Sequence, residues 1–252
     1  MRQFTLLALI CTLGVQAISD HTPYIIGGHP ATHKPYNAYF VYLNAQNAGF
    51  FGGGSIVSDR HIITSAQNIY GFVRWDVGVG SHILAQLTMT TSTTAIAHPN
   101  FNTNRANDIG IITLPTPLIF TPTVAPIMLP AGQELPLENE QGTIVGFGFT
   151  TAQSTGQSST LMRSFQRVIN DVRCQQLYQN IILPNHFCAE DTVEMSNICS
   201  GDVGAGFVTE VRGNPMLTGV ASLMITGCGN TSPSAYTRIS SFRLWIQQVT
   251  GV

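Results

Sequence analysis

The sequence predicts an all-β protein in which two sets of short antiparallel strands follow one another. The chain has 252 residues, enough for a large core, and double-barrel β folds commonly reach this size. Short apolar and β-branched runs lie between Gly, Asn and Asp residues, as strands and turns do. Prolines at 115, 117, 122, 126 and 130 separate the two sets. Since proline cannot donate to an interior ladder, we expect a crossover there.

The predicted strands fall on both sides of this proline-rich segment. In the first half the strand-like runs cover residues 36–43, 53–66, 74–79, 83–97 and 108–114. In the second half they cover 143–148, 161–168, 206–211 and 216–225. The turn Arg212-Gly213-Asn214 joins the last two runs, which predicts a hairpin.

Two helices complete the predicted elements. Residues 171–178 read as a short helix that contains Cys174. Near the chain end, Phe242, Trp245, Ile246 and Val249 are spaced i, i+3, i+4 and i+7, which predicts an amphipathic helix. Either Ser240 or Ser241 could cap its start. We interpret the apolar face as core packing.

The N-terminus predicts secretion. Residues 1–17 combine Arg2, an apolar run from 4 to 15 and the small-residue site Val15-Gln16-Ala17, the pattern of a signal peptide, with an N-terminal core strand as the alternative. The apolar run is too short to span a bilayer. With a net charge of -2, 10% charged residues and no basic stripe, we expect no nucleic-acid or membrane partner. The histidines lack metal-ligand spacing, so no metal or cofactor is predicted.

The segment Cys199-Ser200-Gly201-Asp202-Val203-Gly204 resembles the Gly-Asp-Ser-Gly-Gly-Pro loop of trypsin-like serine proteases. Further matches to that family are residues 25–28, 53–57, 62–66, 107–109, 221–223 and 236–239. The resemblance implies two packed six-stranded antiparallel β-barrels with a short intermediate helix and a C-terminal α-helix. The implied divisions are a signal peptide at 1–17, a propeptide at 18–24, one barrel at 25–128 and another at 129–252.

At the family's reactive positions, the resemblance places Gln67 where the catalytic His is expected, Val203 at the nucleophilic Ser and Asp108 at the Asp. A carboxamide is not a usable base near neutral pH, and an isopropyl group has no proton to lose or lone pair to attack with. We expect Asp108 to be a buried, hydrogen-bonded residue rather than part of a working triad. The backbone N–H groups of Gly201 and Val203 keep the family's oxyanion-hole positions, because they do not depend on side chains.

The activation pair of the family is implied at Ile25 and Asp202. In the family, cleavage frees an ammonium group that pairs with this Asp. Tyr24 precedes Ile25, so a trypsin-like activator would not cut there, whereas a chymotrypsin-like one could. The alternative for Asp202 is a turn-forming residue.

The family's specificity pocket maps to five positions: Asn197, Ser222, Leu223, Met224 and Ser234. Without an Asp at position 197, the pocket has no carboxylate for Lys or Arg. Met224 and Ser234 stand where the family has Gly, which predicts a narrowed or plugged pocket, unless the loops shift outward.

Cys11 is removed with the signal peptide, and the four remaining cysteines allow three pairings. The resemblance selects Cys174 with Cys188 and Cys199 with Cys228. Gly52 and Asn68 stand where the family has another bridge. The sequon Asn230-Thr231-Ser232 predicts glycosylation at Asn230.

These features predict a secreted, inactive serine protease homologue, a pseudoprotease like those of arthropods. We expect a monomer that binds a protease, inhibitor or substrate as a decoy, competitor or regulatory cofactor in an extracellular process. Two alternatives stay open: a weak or repurposed esterase or peptidase that uses the oxyanion hole, and a bulk secreted protein of gut, saliva, venom or reproductive fluid without a single target.

Overall fold

The computed structural model describes residues 25, 27–102, 104–132, 136–151, 156–179, 184–225, 228 and 232–252. The predicted signal peptide, the propeptide and the sequon at Asn230 lie outside the described residues. Two antiparallel sheets dominate the fold.

The first sheet is built from the N-terminal half of the chain. Its strands are β2 (Asn37–Leu43), β3 (Gly49–Ile56), β4 (His61–Thr64), β5 (Arg74–Val79), β6 (Thr88–Ser92), β7 (Thr94–Ala97) and β8 (Gly110–Thr113). Their order is β6-β5-β2-β3-β4-β8-β7. Only Thr93 separates β6 from β7, so the two act as one bent strand, which joins the sheet's ends into a six-stranded barrel.

The second sheet contains β1 (His29–Pro30), β9 (Gln141–Gly146), β10 (Met162–Val168), β11 (His186–Glu190), β12 (Gly206–Val211), β13 (Asn214–Leu223) and β14 (Ser234–Arg238). The order is β1-β10-β11-β14-β13-β12-β9, and an additional β9–β10 pairing closes six strands into a barrel. The two-residue β1 is an addition to β10. β1 therefore lies against the second barrel, although it precedes the strands of the first.

The two helices are α1 (Asp171–Tyr178) and α2 (Arg243–Thr250). The side chain of Asn170 caps α1 by accepting from the N–H of Arg173. The predicted serine cap of α2 is wrong: a 3₁₀ turn at Ile239–Phe242 already contains both serines, and α2 continues from it without a side-chain cap. In the described part of the chain, neither helix has the length and apolar character needed to cross a bilayer.

Two long strand predictions also need correction. The run at 53–66 contains β3 and β4, because the chain turns where the N–H of Val57 donates to the carbonyl of His61. The run at 83–97 begins with a 3₁₀ turn at Leu84–Gln86, before β6 and β7. Apolar composition identified these runs, but it did not reveal where the backbone reverses.

The two barrels share a core. One cluster combines Ile63 and Ile111 from the first barrel with Leu217 and Val220 from the second, and α2 adds Ile246. Each of these side chains is at most 1% exposed. Burying a side chain of this size contributes about 1.5–3 kcal/mol, so this cluster holds the barrels firmly together.

Candidate functional site

The candidate site lies between the barrels and starts at the end of β4. Here the chain enters a 3₁₀ turn, Ala66–Asn68, and Ser65 caps the turn by accepting from the N–H of Gln67. The turn places Gln67 beside Asp108, which precedes β8. The site is thus assembled by the ends of two neighbouring strands.

Asp108 is the centre of a buried hydrogen-bond network. Its Oδ1 accepts from Ser65 Oγ at 2.6 Å and from the Gln67 backbone N–H at 3.0 Å. Its Oδ2 accepts from Gln67 Nε2 at 2.5 Å and from Ser222 Oγ at 2.6 Å. The carbonyl of Asp108 also accepts from Thr237 Oγ1 at 2.9 Å. Because Ser222 and Thr237 lie in β13 and β14, this residue ties the first barrel to the second.

The electrostatics of Asp108 reflect two opposing effects. Complete burial raises the pKa of its carboxyl above the ordinary value, because an ionised carboxylate is poorly solvated there. The four donors act in the opposite direction, since they stabilise the ionised form, but burial prevails. The donors therefore decide how this group is oriented.

The carboxamide of Gln67 is fixed by two acceptors. Its Nε2 donates to Asp108 Oδ2 and, at 2.9 Å, to the carbonyl of Ser222. An amide nitrogen has no lone pair available for protonation near neutral pH, so at this point the site presents a donor and not a base.

The loop from Cys199 to Ala205 forms the facing wall. Gly201 has a φ of 93°, and a Cβ there would lie 2.0 Å from the ring of Phe51, so this position requires glycine. The carbonyl of Val203 accepts from the N–H of Gly53 at 3.1 Å and from Asn68 Nδ2 at 2.8 Å. These contacts hold the loop against β3 and the 3₁₀ turn.

Asp202 points away from the cleft into the second barrel. Its carboxylate accepts from the N–H groups of Gly148 and Cys199, both at 2.9 Å. A Cβ at residue 148 would lie 2.4 Å from this carboxylate. The hydrogen bond from the Gly148 N–H to Asp202 therefore requires glycine at this position. Burial raises the pKa of Asp202 to about 7, against the effect of the two amide donors.

Ile25 is fully buried, and the neighbouring Gly27 packs against the backbone of Glu194 and Ser196. In the intact chain the nitrogen of Ile25 is a peptide amide and carries no charge. The ion pair between Ile25 and Asp202 therefore stays a prediction for a cleaved form.

The positions expected to form the pocket floor and wall are bonded to each other. Asn197 Nδ2 donates to the carbonyl of Ser232 at 2.6 Å, and Asn197 Oδ1 accepts from the N–H of Ile198 and from Ser234 Oγ. Asn197 is 6% exposed and Ser234 is fully buried. Both side chains are thus largely removed from solvent.

The side chains at the other expected wall positions contact different parts of the structure. Ser222 turns to Asp108, as described above. Leu223 packs against the cluster around Cys174 and Cys188, whereas Met224 packs partly on the second barrel's core and lines an open cleft.

This cleft has a volume of about 470 Å³. Its lining brings Gln67 and Val203 together with aromatic residues and one cation. In full, it consists of Tyr42, Gly49, Phe50, Phe51, Gln67, Asn68, Phe72, Arg105, Phe149, Ser200, Gly201, Val203 and Met224.

Comparison with known proteins identifies the family. A family model described as trypsin matches residues 25–246. This chain belongs to the trypsin family. A collagenase of Hypoderma lineatum is 32% identical over 236 residues, which cover 90% of this chain and 88% of the relative. A trypsin of Phaedon cochleariae is 30% identical over 236 residues, with coverage of 90% and 89%.

The trypsin fold is shown by solved structures as well. The structure of HL collagenase matches with a TM-score of 0.81 and 30% identity, and the match covers 90% of this chain and 99% of that one. The two disulfides implied by the family resemblance are confirmed: Cys174 is bonded to Cys188, and Cys199 to Cys228. Members of this family are usually secreted.

Gly52 and Asn68, the positions without the trypsin-family cysteines, are neighbours. A Cβ on Gly52 would lie 2.8 Å from Asn68 Nδ2. The Asn68 side chain uses this space to reach both Thr64 Oγ1, at 3.1 Å, and the carbonyl of Val203. A hydrogen-bonded amide thus connects the segments in this trypsin-family member.

Sequence reasoning missed several members of the site. Ser65 and the amide of Asn68 are short polar residues without a motif, although Ser65 directly before a turn was a capping pattern that could have been noticed. Arg105 and the aromatic residues of the cleft gave no signal, because they come from separate segments. Among the described residues, no group of three His, Cys, Asp or Glu side chains could hold a metal ion.

Proposed function

We propose that this trypsin-family chain is a catalytically inactive protease homologue that acts by binding protein. The observation that carries the proposal is the amide of Gln67 in the position that faces Asp108, where the family's mechanism needs an imidazole. Nε2 of Gln67 donates to the carboxylate at 2.5 Å. The orienting acid is therefore occupied by a group that cannot accept the nucleophile's proton.

The second support is Val203 at the nucleophile position. Its side chain has no atom that can form an acyl intermediate. Among the described residues, the N–H groups of Gly201 and Val203 donate to no other protein atom, so two oxyanion donors are available. Donors without a nucleophile and base leave a residual acceleration of about 10³–10⁴ over water, far below that of a protease.

Ser200 lines the cleft and is a candidate to replace the missing nucleophile. It is exposed, and its Oγ lies 3.8 Å from Cys228 Sγ. A disulfide sulfur is not a general base, and activation of serine requires a base within hydrogen-bond reach. Ser200 therefore has a structural role in this account.

The pocket positions support the same conclusion. Asn197 and Ser234 bond to each other in space that the family leaves for a substrate side chain. Their mutual bond satisfies polar groups that would otherwise bind a ligand. This bond supports the proposal that the pocket is filled from within, which would remove the usual basis of substrate selection.

The setting of this function is extracellular. Two disulfides are typical of an oxidising compartment, and the N-terminal segment has the composition of a signal peptide. Insect relatives such as those of Hypoderma lineatum and Phaedon cochleariae support an arthropod origin. These relatives bear the names of proteases, so the proposal concerns a difference in chemistry on a shared fold.

A protein partner is the proposed ligand of the outer surface. Phe50, Tyr70 and Val73 are 53%, 70% and 51% exposed, and they lie on β3 and the segment before β5. Exposed apolar side chains near a cleft are typical of interaction sites. The partner proposed is a protease, an inhibitor or a protease substrate.

The catalytic part of this proposal is tested with chain that starts at Ile25, released from a fusion by cleavage directly before that residue. Tryptic, chymotryptic and elastase-like ester and amide substrates should show no turnover above buffer. The matched variant Gln67→His/Val203→Ser restores the family's side chains, and it should hydrolyse at least one ester. Turnover by the natural sequence that persists through purification to constant specific activity would contradict the proposal, and its loss in Ser200→Ala would identify Ser200 as the nucleophile.

Binding is tested by immobilising the intact and the cleaved chains and passing the native secretion over both. Retention of one protease, inhibitor or substrate at a fixed stoichiometry would support the proposal. Retention equal to that of an inert trypsin-family protein would favour a bulk secreted protein.

A further inference from the structure

The cleft beside Gln67 carries a set of aromatic side chains that a binding reaction can bury. Tyr42, Phe50 and Phe72, here called the aromatic rim, have ring centroids 4.5 to 5.9 Å apart. Phe50 is half exposed, and Phe51 and Phe149 contact each other with centroids 5.5 Å apart. Such rings favour a flat apolar ligand, since offset and edge contacts add to the burial of apolar area.

The guanidinium of Arg105 places a positive charge beside these aromatic side chains. Among the described residues that line the cleft, Arg105 is the only charged one. Its backbone is fixed by a bond from its N–H to the carbonyl of Asn102 at 3.0 Å. Among the described residues, its guanidinium forms no ion pair and no hydrogen bond. An arginine with five free donors at an apolar surface is suited to a carboxylate.

The positive charge of Arg105 acts on Tyr42, a member of the aromatic rim. Burial raises the pKa of Tyr42 to about 12, and the nearby positive charge of Arg105 acts to lower it. Asp108 bonds the lining residue Gln67 but is not itself part of the lining, and its two oxygens are occupied by the four donors described above. The charge among the described lining residues is thus positive.

We propose that this cleft binds a small aromatic monocarboxylic acid, with its ring against the aromatic rim and its carboxylate on Arg105. The volume of about 470 Å³ lies in the range of small-molecule pockets. A phosphate ester fits less well, because its second negative charge would have no partner. The inference does not depend on the absence of hydrolysis, because neither the aromatic rim nor Arg105 has a role in that chemistry.

The test uses calorimetric titration at neutral pH with two ligands. One is the carboxylate 1-naphthaleneacetate, and the other is its uncharged isostere, 1-naphthaleneacetamide. The acid should bind the natural chain about tenfold more tightly than the amide, the effect of one charged hydrogen-bonded contact. Arg105→Gln should remove this preference, and Arg105→Lys should retain part of it. Phe50→Ser should weaken both ligands to the same extent.

Arg212→Gln is the matched control, because Arg212 also has a positive φ, at 54°, and does not line the cleft. It should leave both affinities unchanged. The proposal is overturned if neither ligand binds, if acid and amide bind equally, or if Arg212→Gln weakens the acid as much as Arg105→Gln. Because the readout is binding, an unexpected hydrolytic activity would not affect this result.

Discussion

Two buried carboxylates lie near the candidate site, and their surroundings differ. Asp108 joins the barrels and accepts four hydrogen bonds, three of them from side-chain and backbone groups of Ser65 and Gln67 and one from Ser222. Asp202 is inside the second barrel and accepts two, both from backbone N–H groups. Both residues are fully buried.

The difference shows which carboxylate has hydrogen-bond donors at all of its acceptor positions. The four donors of Asp108 occupy both of its oxygens and offset part of the effect of burial, which still raises its pKa. Asp202 has half as many donors, and burial raises its pKa to about 7. A cation beside Asp202 would stabilise its ionised form, whereas the oxygens of Asp108 are already occupied by four donors. In this protein the first is a fixed cross-link and the second is a site that can respond to a change in charge.

The largest expected effect is the loss of the cross-link. Asp108→Ala leaves the hydroxyls of Ser65 and Ser222 without acceptors and removes one of the two acceptors of each Gln67 N–H donor. We expect the free energy of unfolding to fall by about 5 kcal/mol, since each unsatisfied buried donor costs about 1–3 kcal/mol and the two weakened Gln67 bonds add to this loss. Chemical denaturation measures this change. Asp59→Ala, at an exposed position, is the control and should be nearly neutral. A similar small loss for both variants would show that Asp108 does not hold the barrels together.

The second expected effect is a pH dependence due to Asp202 in the intact chain. Burial raises its pKa from 3.8 to about 7, so the folded state holds the proton more tightly than the unfolded chain. Its contribution to stability is complete below pH 3.8 and is lost as the pH rises to about 7. The loss is on the order of 4 kcal/mol over this window.

Asp202→Asn supplies the comparison for this pH profile, measured by denaturation between pH 4 and 8. The variant should lose the part of the decline that Asp202 contributes and keep the part due to Asp108, whose pKa is also raised by burial. In chain cleaved before Ile25, a new ammonium group should lower the pKa of Asp202 and remove the same part of the decline. A profile identical in all three proteins would show that Asp202 is not a responsive site.

The smallest effect concerns a single donor of the Asp108 network. Ser222→Ala removes one of four bonds to the carboxylate and should lower the free energy of unfolding by about 1–2 kcal/mol. Ser241→Ala is the control, because Ser241 is exposed and caps no helix, and it should change stability by less than about 0.5 kcal/mol. If Ser241→Ala were the more destabilising change, two claims would be wrong: that Ser222 stabilises the protein through Asp108, and that Ser241 does not cap α2.

Local patterns predicted much of the fold. The bounds of α1 and β5 match the predicted runs at 171–178 and 74–79. The side chain of Asn170 caps the start of α1, and Gly80, with a φ of 93°, ends the extended backbone of β5. The division at 128/129 stays a prediction. Where the chain bends without Gly or Pro, as at Thr93, alternation alone did not locate the break. The 3₁₀ turn before α2 was missed because serine favours both caps and turns.

The site was predictable only in part, since its chemistry is assembled from distant segments. The motif around Val203 located the loop, and the family resemblance implied both disulfides, which the structure contains. No local pattern relates Asn68 to the carbonyl of Val203, 135 residues away, or Ser222 to Asp108, 114 residues away. The aromatic rim likewise joins β2, β3 and the segment before β5. Contacts of this kind follow from strand order and register, which a single sequence does not specify.

The central claim is that no hydroxyl in this cleft can be acylated or phosphonylated. The most direct test is mass spectrometry of the intact protein after incubation of the Ile25-initiated chain with a fluorophosphonate, alongside an active trypsin. We predict no mass increase for this chain and complete single labelling of the trypsin. A single stoichiometric adduct on this chain, located at any serine of the cleft, would contradict the claim.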